Sequence, residues 1–280
     1  MSLFRVFPRR TKATPDDDHV IVGREPGLFD RPDTVHVSCT FTWDLPLAEH
    51  LAESWSRIAP TELGGPATGM RGENFKPGMY LRKGYVITSR GCPNRCWFCS
   101  VWRREGNEVR ELPIRDGYNV LDDNLLACSE GHIRAVFAML SRQPDKAEFT
   151  GGLEAARLQD WHVHLLAYLK PKQMFFAYDT PDDYEPLVEA GRKLLQVYRK
   201  SAHVLRAYVL VGYPKDTFEA AEQRLRDTWD AGFFPMAMLW NARERPMGWK
   251  SFQRQWANPW IIHNNLKRGA ASINFSHSDL

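Results

Sequence analysis

The chain has 280 residues, 43% hydrophobic and 25% charged, with a formal net charge of +3. These are values of an ordinary globular protein with one large domain, or one domain and a small extension. They give no argument from charge for nucleic acid, and no apolar run reaches the ~20 residues that cross a bilayer.

The first eighty residues open with Met1 to Arg10, basic but without the apolar core of a secretion signal. Together with cysteines too few and uneven for a disulfide framework, this gives a reduced, cytoplasmic setting as the expectation. Val35-His36-Val37-Ser38-Cys39-Thr40-Phe41-Thr42 reads as a strand and Leu45 to Ile58 as a helix, followed by Thr61-Glu62-Leu63-Gly64-Gly65-Pro66. Residues 66–82, rich in Gly and Pro, read as a linker.

From Tyr85 onward, short apolar runs alternate with amphipathic segments. The runs are Tyr85–Thr88, Tyr118–Leu121, Ala147–Thr150, Met174–Tyr178, Ala207–Val211 and Pro235–Leu239; the helical stretches lie near 132–142, 155–169, 183–199 and 217–231. In the last, Phe218, Ala221, Leu225 and Trp229 recur at helical spacing, with Thr217 as cap and Gly232 as stop. Strands alternating with helices predict βαβ units around a parallel sheet, an α/β fold whose site lies at the carboxyl ends of the strands.

The first run leads into Ser89-Arg90-Gly91-Cys92-Pro93-Asn94-Arg95-Cys96-Trp97-Phe98-Cys99-Ser100. Three cysteines in a C-x3-C-x2-C pattern on a Gly/Pro-bent loop can converge on one metal centre, leaving a four-site cluster one ligand short. Structural zinc wants four ligands, usually in two separated pairs, and no second pair follows: His132 stands alone, and His162 and His164 point to different helix faces. Cys39 and Cys128 read as core thiols.

This loop, with its Arg90-Gly91 lead-in and Phe98 before the last cysteine, resembles the cluster loop of radical S-adenosylmethionine (radical SAM) enzymes. The resemblance covers residues 83–245 well and 35–66 weakly. It implies a partial (β/α)6 TIM-like barrel over 83–245, an N-terminal extension over 1–82 and a C-terminal helix and tail over 246–280. It also implies a 4Fe–4S cluster held by Cys92, Cys96 and Cys99, whose fourth iron is chelated by S-adenosylmethionine (SAM). Reduction would then cleave SAM to a 5′-deoxyadenosyl radical that abstracts hydrogen. The strand–helix outline and the Gly-Gly-Pro ending of residues 35–66 are similar to the last part of the cobalamin-binding domain that precedes many such barrels. The family's D-x-H-x-x-G motif is absent: Asp17 and His19 match, but Val22 stands where glycine belongs and Gly23 is one residue late. The N-terminal part is therefore expected to be a truncated, Rossmann-like remnant that does not bind cobalamin.

The strand ends carry further matches. Asp122-Asp123-Asn124 is similar to the motif that holds the SAM amino group in cobalamin-type members, and it also suits a helix cap. Gly151-Gly152-Leu153-Glu154 with Arg157 suits the SAM carboxylate or ribose, or a simple strand-to-helix turn. Asp179 stands where similar proteins place a ribose-contacting acid, although an acid near Pro181 is also an ordinary helix start. Gly212-Tyr213-Pro214-Lys215-Asp216-Thr217 resembles the Gly-x-Pro-x-(Glu/Asp)-Thr turn against adenine, and Leu239-Trp240-Asn241 closes the barrel. Phe98 is expected to shield the cluster.

The function expected is that of a radical SAM enzyme acting on a small molecule or nucleoside bordered by Trp249, Trp256 and Trp260, with a reductant such as flavodoxin or ferredoxin. No residue is singled out as a catalytic acid, base or nucleophile. Nucleic acid has only the basic pairs Arg103–Arg104 and Lys267–Arg268 in its favour, and such pairs are usually solvated. The other class of reading is a non-catalytic iron–sulfur or zinc protein acting as sensor or partner, which has no need of the strand-end motifs.

Overall fold

The computed structural model describes residues 2–71, 75–199, 204–240 and 248–267. Asn241 and, from Arg268 on, the expected C-terminal tail lie outside the described residues. Two units divide the chain, residues 1–176 and 177–280.

The first unit begins with a parallel sheet of β1 (Leu3–Phe7), β2 (Val20–Val22), β3 (Thr34–Ser38) and β4 (Thr61–Gly64), in the order β2-β1-β3-β4. Side chains alternate along a strand, so Val35 and Val37 are buried while Thr34, His36 and Ser38 are half-buried. Helix α1 (Leu45–Ser56) connects β3 to β4 and buries Ala48, Leu51 and Trp55 in one cluster with Val6, Val35 and Val37. The stretch read as a linker does structural work. Arg5 donates to the carbonyls of Gly78 and Met79, each at 2.9 Å, and Tyr80 Oη lies 2.5 Å from His36 Nδ1. Residues 78–80 thus cover the sheet face that α1 leaves open.

The same unit continues through β5 (Tyr85–Val86), β6 (Ser89–Arg90), α2 (Val101–Arg104), β7 (Arg110–Glu111), β8 (Asn119–Val120), α3 (Glu130–Leu140), β9 (Glu148–Phe149) and α4 (Asp160–Leu169) to β10 (Gln173–Tyr178), inside which the units divide. Strands β5, β8, β9 and β10 pair in parallel in that order, while β6 and β7 form an antiparallel pair. Ser129 caps α3 by accepting from His132 N, and Phe137 of α3 stacks on Phe149 at 5.5 Å. The stretch 155–169 is two pieces: a 3-10 turn at Ala155–Arg157, then α4 entered through a reciprocal Gln159–His162 cap.

In the second unit, α5 (Tyr184–Leu194), β11 (Leu205–Val211), α6 (Phe218–Asp230), β12 (Phe234–Leu239), α7 (Trp249–Gln255) and α8 (Pro259–Lys267) follow β10. Strands β11 and β12 pair in parallel from Arg206↔Phe234 to Val211↔Leu239. Thr217 Oγ1 caps α6 by accepting from Ala220 N at 3.2 Å, and Gly232, at φ +100°, ends it. Each of the six apolar runs carries a strand, because buried parallel strands are apolar on both faces. Trp249 and Trp256 are buried, whereas Trp260 is exposed. Among the described residues no helix is long and apolar enough to cross a membrane.

Candidate functional site

The antiparallel pair β6–β7 forms the base of the cysteine loop. Gly91 adopts φ +90°, and a Cβ there would stand 2.1 Å from the carbonyl oxygen of Glu108, so only glycine lets the loop turn at this point. Beyond it, Cys99 N donates to Cys96 O (3.1 Å), Trp102 Nε1 donates to the same carbonyl (3.0 Å), and Val101 N points at Cys99 Sγ (3.5 Å). Glu105, buried, receives Arg104 Nε at 3.0 Å and Arg110 Nη2 at 2.8 Å, which fixes the far end of the loop. Phe98 is half-buried and meets the exposed Trp97 edge-on at 5.4 Å. Burial raises the Cys99 thiol, and the nearby Cys92 raises it further. The three thiols are half-buried and gathered on one loop. Among the described residues, however, no three Cys, His, Asp or Glu side chains converge on a point that holds a metal ion.

The three polar residues after β8 have separate roles. Asp122 is buried, and its carboxylate accepts from Thr88 N (2.6 Å), Thr88 Oγ1 (2.5 Å) and Ser89 Oγ (2.8 Å); it ties the end of β5 to β8. Asp123 accepts from Gly91 N at 2.9 Å and meets Arg90 at 3.3 Å, so it clamps the start of the cysteine loop. Burial raises both carboxyls. Asn124 reaches the loop itself: Nδ2 donates to Cys92 Sγ at 3.4 Å and to Glu154 Oε2 at 2.6 Å. The carboxylate partner fixes which end of the amide is nitrogen. That leaves Asn124 Oδ1 buried with no hydrogen-bond partner. Such an acceptor is costly unless something donates to it.

Glu154 also receives Arg157 Nε at 2.6 Å. Gly151 and Gly152 differ in purpose. A Cβ on Gly151 would lie 2.5 Å from Asp122 O, so this glycine lets two strand ends pack backbone to backbone; Gly152, at φ +106°, borders open space. Cys92, Asp123, Asn124, Glu154 and Arg157 are therefore joined in one network, with Asp122 behind it. His132, which the sequence left alone, adds to the support of β5: its Nε2 lies 3.3 Å from Thr88 Oγ1 and its Nδ1 3.7 Å from Glu111 Oε2. Its only sequence signal was its place in the first turn of α3.

In the second unit, Asp179 Oδ1 accepts from Leu210 N at 3.0 Å. Asp183 accepts from Asp179 N (3.0 Å) and from Thr180 N (2.7 Å), the helix-start arrangement. Burial, and then the charge of Asp183, push the Asp179 carboxyl up to about 7. Asp216 Oδ2 accepts from Gly212 N and Arg224 Nη2, each at 2.8 Å, and Arg224 lies over the Tyr213 ring at 5.0 Å. A Cβ on Gly212, at φ +74°, would stand 2.7 Å from Leu239 Cδ1 and 3.0 Å from the Trp249 ring. The turn is thus held by a buried ion pair and by core packing.

Asp179 gives a pH prediction. A carboxyl raised in the folded chain contributes stability below its unfolded pKa, and that contribution is lost as pH rises from about 4 through about 7. Asp179→Asn keeps an acceptor for Leu210 N and removes the buried charge. The variant should therefore be more stable than the parent by up to about 4 kcal/mol at pH 8 and no more stable at pH 4. Urea unfolding at the two pH values checks this; an equal difference at both would place the Asp179 pKa in the ordinary range.

No family model and no curated protein matches the chain. Among solved structures, the chain is similar to a radical S-adenosylmethionine methyltransferase, TsrM from Kitasatospora setae, determined with cobalamin and a 4Fe–4S cluster bound. The identity is 11% and the TM-score 0.59, over 85% of this chain and 75% of that one. The likeness is one of fold: an α/β architecture with parallel sheets, shared with an enzyme.

Proposed function

We propose that this chain is a radical SAM enzyme, with Cys92, Cys96 and Cys99 as ligands of a 4Fe–4S cluster and a partial (β/α)6 barrel as its scaffold. What carries the reading is Asn124, an amide bonded to Cys92 with a buried acceptor left over. The donor set suits the group: three thiols on one loop match cluster ligation and fall short of a four-ligand zinc site. When bound, the cluster supplies the electron that cleaves the SAM sulfonium.

The protein's part is to hold and orient. Asp123 fixes the loop through Gly91 N. Asn124 Oδ1 and Glu154 offer oxygens to the SAM ammonium, and Arg157 offers a cation to its carboxylate. Phe98 screens the thiols from water. Asp179, Gly212 and Tyr213 are assigned to the ribose and adenine. The substrate is a small molecule or nucleoside, and the electron comes from a flavodoxin- or ferredoxin-type reductant. The test is anaerobic reconstitution with iron and sulfide, reduction with dithionite, addition of SAM and detection of 5′-deoxyadenosine by mass spectrometry. A loaded cluster that leaves SAM intact with several reductants would favour a sensor.

Asn124→Ala should weaken SAM retention by about tenfold, the worth of one hydrogen bond to a charged group, while iron content changes little. Equilibrium dialysis of reconstituted protein measures both. Unaltered retention would remove Asn124 from the SAM site.

A further inference from the structure

The cysteine loop carries more positive charge than it neutralises. Between Ser89 and Glu111 stand five arginines, three glutamates and no lysine. Three of the arginines are matched close by: Arg104 and Arg110 share buried Glu105, and Arg90 meets Asp123. Arg95 and Arg103 are exposed, and among the described residues neither meets a carboxylate. The other two glutamates stand elsewhere on the loop. Glu111 is held at the start of α3 by Ser129 N, and Glu108 lies at the loop base beside Gly91.

The two unmatched cations gather around one residue. Arg95 and Trp97 are the chain neighbours of Cys96. Trp102 donates to the Cys96 carbonyl at 3.0 Å, and Arg103 lies over the Trp102 ring at 4.9 Å. Trp97 is 47% exposed, a large apolar surface for water to cover. Tryptophan and arginine are the residues enriched at the centres of protein interfaces, and a guanidinium pairs with a carboxylate at two points. Two free cations are few for a nucleic-acid backbone, where binding surfaces neutralise about six to ten phosphates. They suit a protein whose facing rim is acidic. Resting on the reading above, in which the electron comes from outside the chain, we propose that Arg95, Trp97 and Arg103 form the docking surface for an acidic electron-carrier protein. One electron leaves the reduced carrier and enters the oxidised cluster; no bond forms or breaks at the interface and no proton crosses it.

The test uses two acidic probes, a flavodoxin and a ferredoxin. Binding of each oxidised probe to the full chain, with and without iron, is measured by biolayer interferometry at low and high salt. At least one should bind at low salt with a Kd below about 100 μM, and at least about tenfold more weakly at high salt. Arg95→Glu combined with Arg103→Glu should weaken that binding by at least about tenfold, and slow carrier-driven formation of 5′-deoxyadenosine at limiting carrier by the same factor. Dithionite needs no docking and should drive cleavage in the double variant at the parental rate. Lys146→Glu, an exposed position before the amino end of β9, should change none of these. Failure of dithionite to drive cleavage in the parent would sink the radical SAM reading, while the binding arm still reads the surface. The docking proposal is overturned if neither carrier binds, if binding ignores salt or the charge reversal, if Lys146→Glu weakens it equally, or if a nucleic-acid oligomer binds the same arginines more tightly than either carrier.

Discussion

Cys96→Ala is expected to lose both iron and SAM cleavage, while Cys128→Ala keeps both at the level of the parent. The Cys96 carbonyl that receives Trp102 Nε1 is kept in the variant, and far-ultraviolet circular dichroism checks that the fold is kept with it. Two remaining thiols cannot hold a cluster that needs at least three from the protein. Cys128 differs in place: it lies outside the cysteine loop, after β8, and burial pushes its thiol up to about 11. Iron content, visible absorbance and 5′-deoxyadenosine yield read the comparison. Cleavage retained in Cys96→Ala would overturn the assignment of the loop.

Gly91→Ala should be nearly as damaging without removing any ligand. The new methyl would meet the Glu108 carbonyl at 2.1 Å in a left-handed backbone that L side chains rarely adopt. Strain of this kind costs roughly 1–3 kcal/mol, and the clash adds to it. The segment relieves both by moving away from β7, which breaks the Gly91 N–Asp123 bond. The expected result is a chain with near-parental far-ultraviolet circular dichroism, a lower melting temperature and at most a small fraction of the parental iron. Full iron loading in Gly91→Ala would show that the loop turns elsewhere when it takes up metal.

Much of the scaffold was legible because it follows simple patterns. The runs that became β5 and β8 to β12 are apolar, and the stripe of α6 repeats at helical spacing between a threonine cap and a glycine stop. What stayed hidden has physical reasons too. Strand β1, Leu-Phe-Arg-Val-Phe, carries a buried arginine that looks wrong for a strand until Gly78, Met79 and Asp17 are seen around it. Strands β2 and β4 have only three and four residues, too short to show a period. In the Asp122-Asp123-Asn124 run, neighbours point in different directions. One serves a strand end, one the loop turn and one the thiols, and composition cannot apportion those roles. Gly151 and Gly212 are likewise required by backbone and core packing, which a motif match does not distinguish from closeness to a ligand.

A single amide group touches both halves of the proposed chemistry in the first unit. Asn124 Nδ2 donates to a cysteine sulfur and to Glu154 at the same time, so a change in charge on either acceptor redistributes its hydrogen bonding. Thermodynamic reciprocity then applies: whatever factor metal loading contributes to SAM affinity, SAM returns to metal retention. In Asn124→Ala that coupling should shrink toward unity. Partition of iron between the protein and a competing chelator at equilibrium, with and without SAM, would read its size as the ratio of two retention constants.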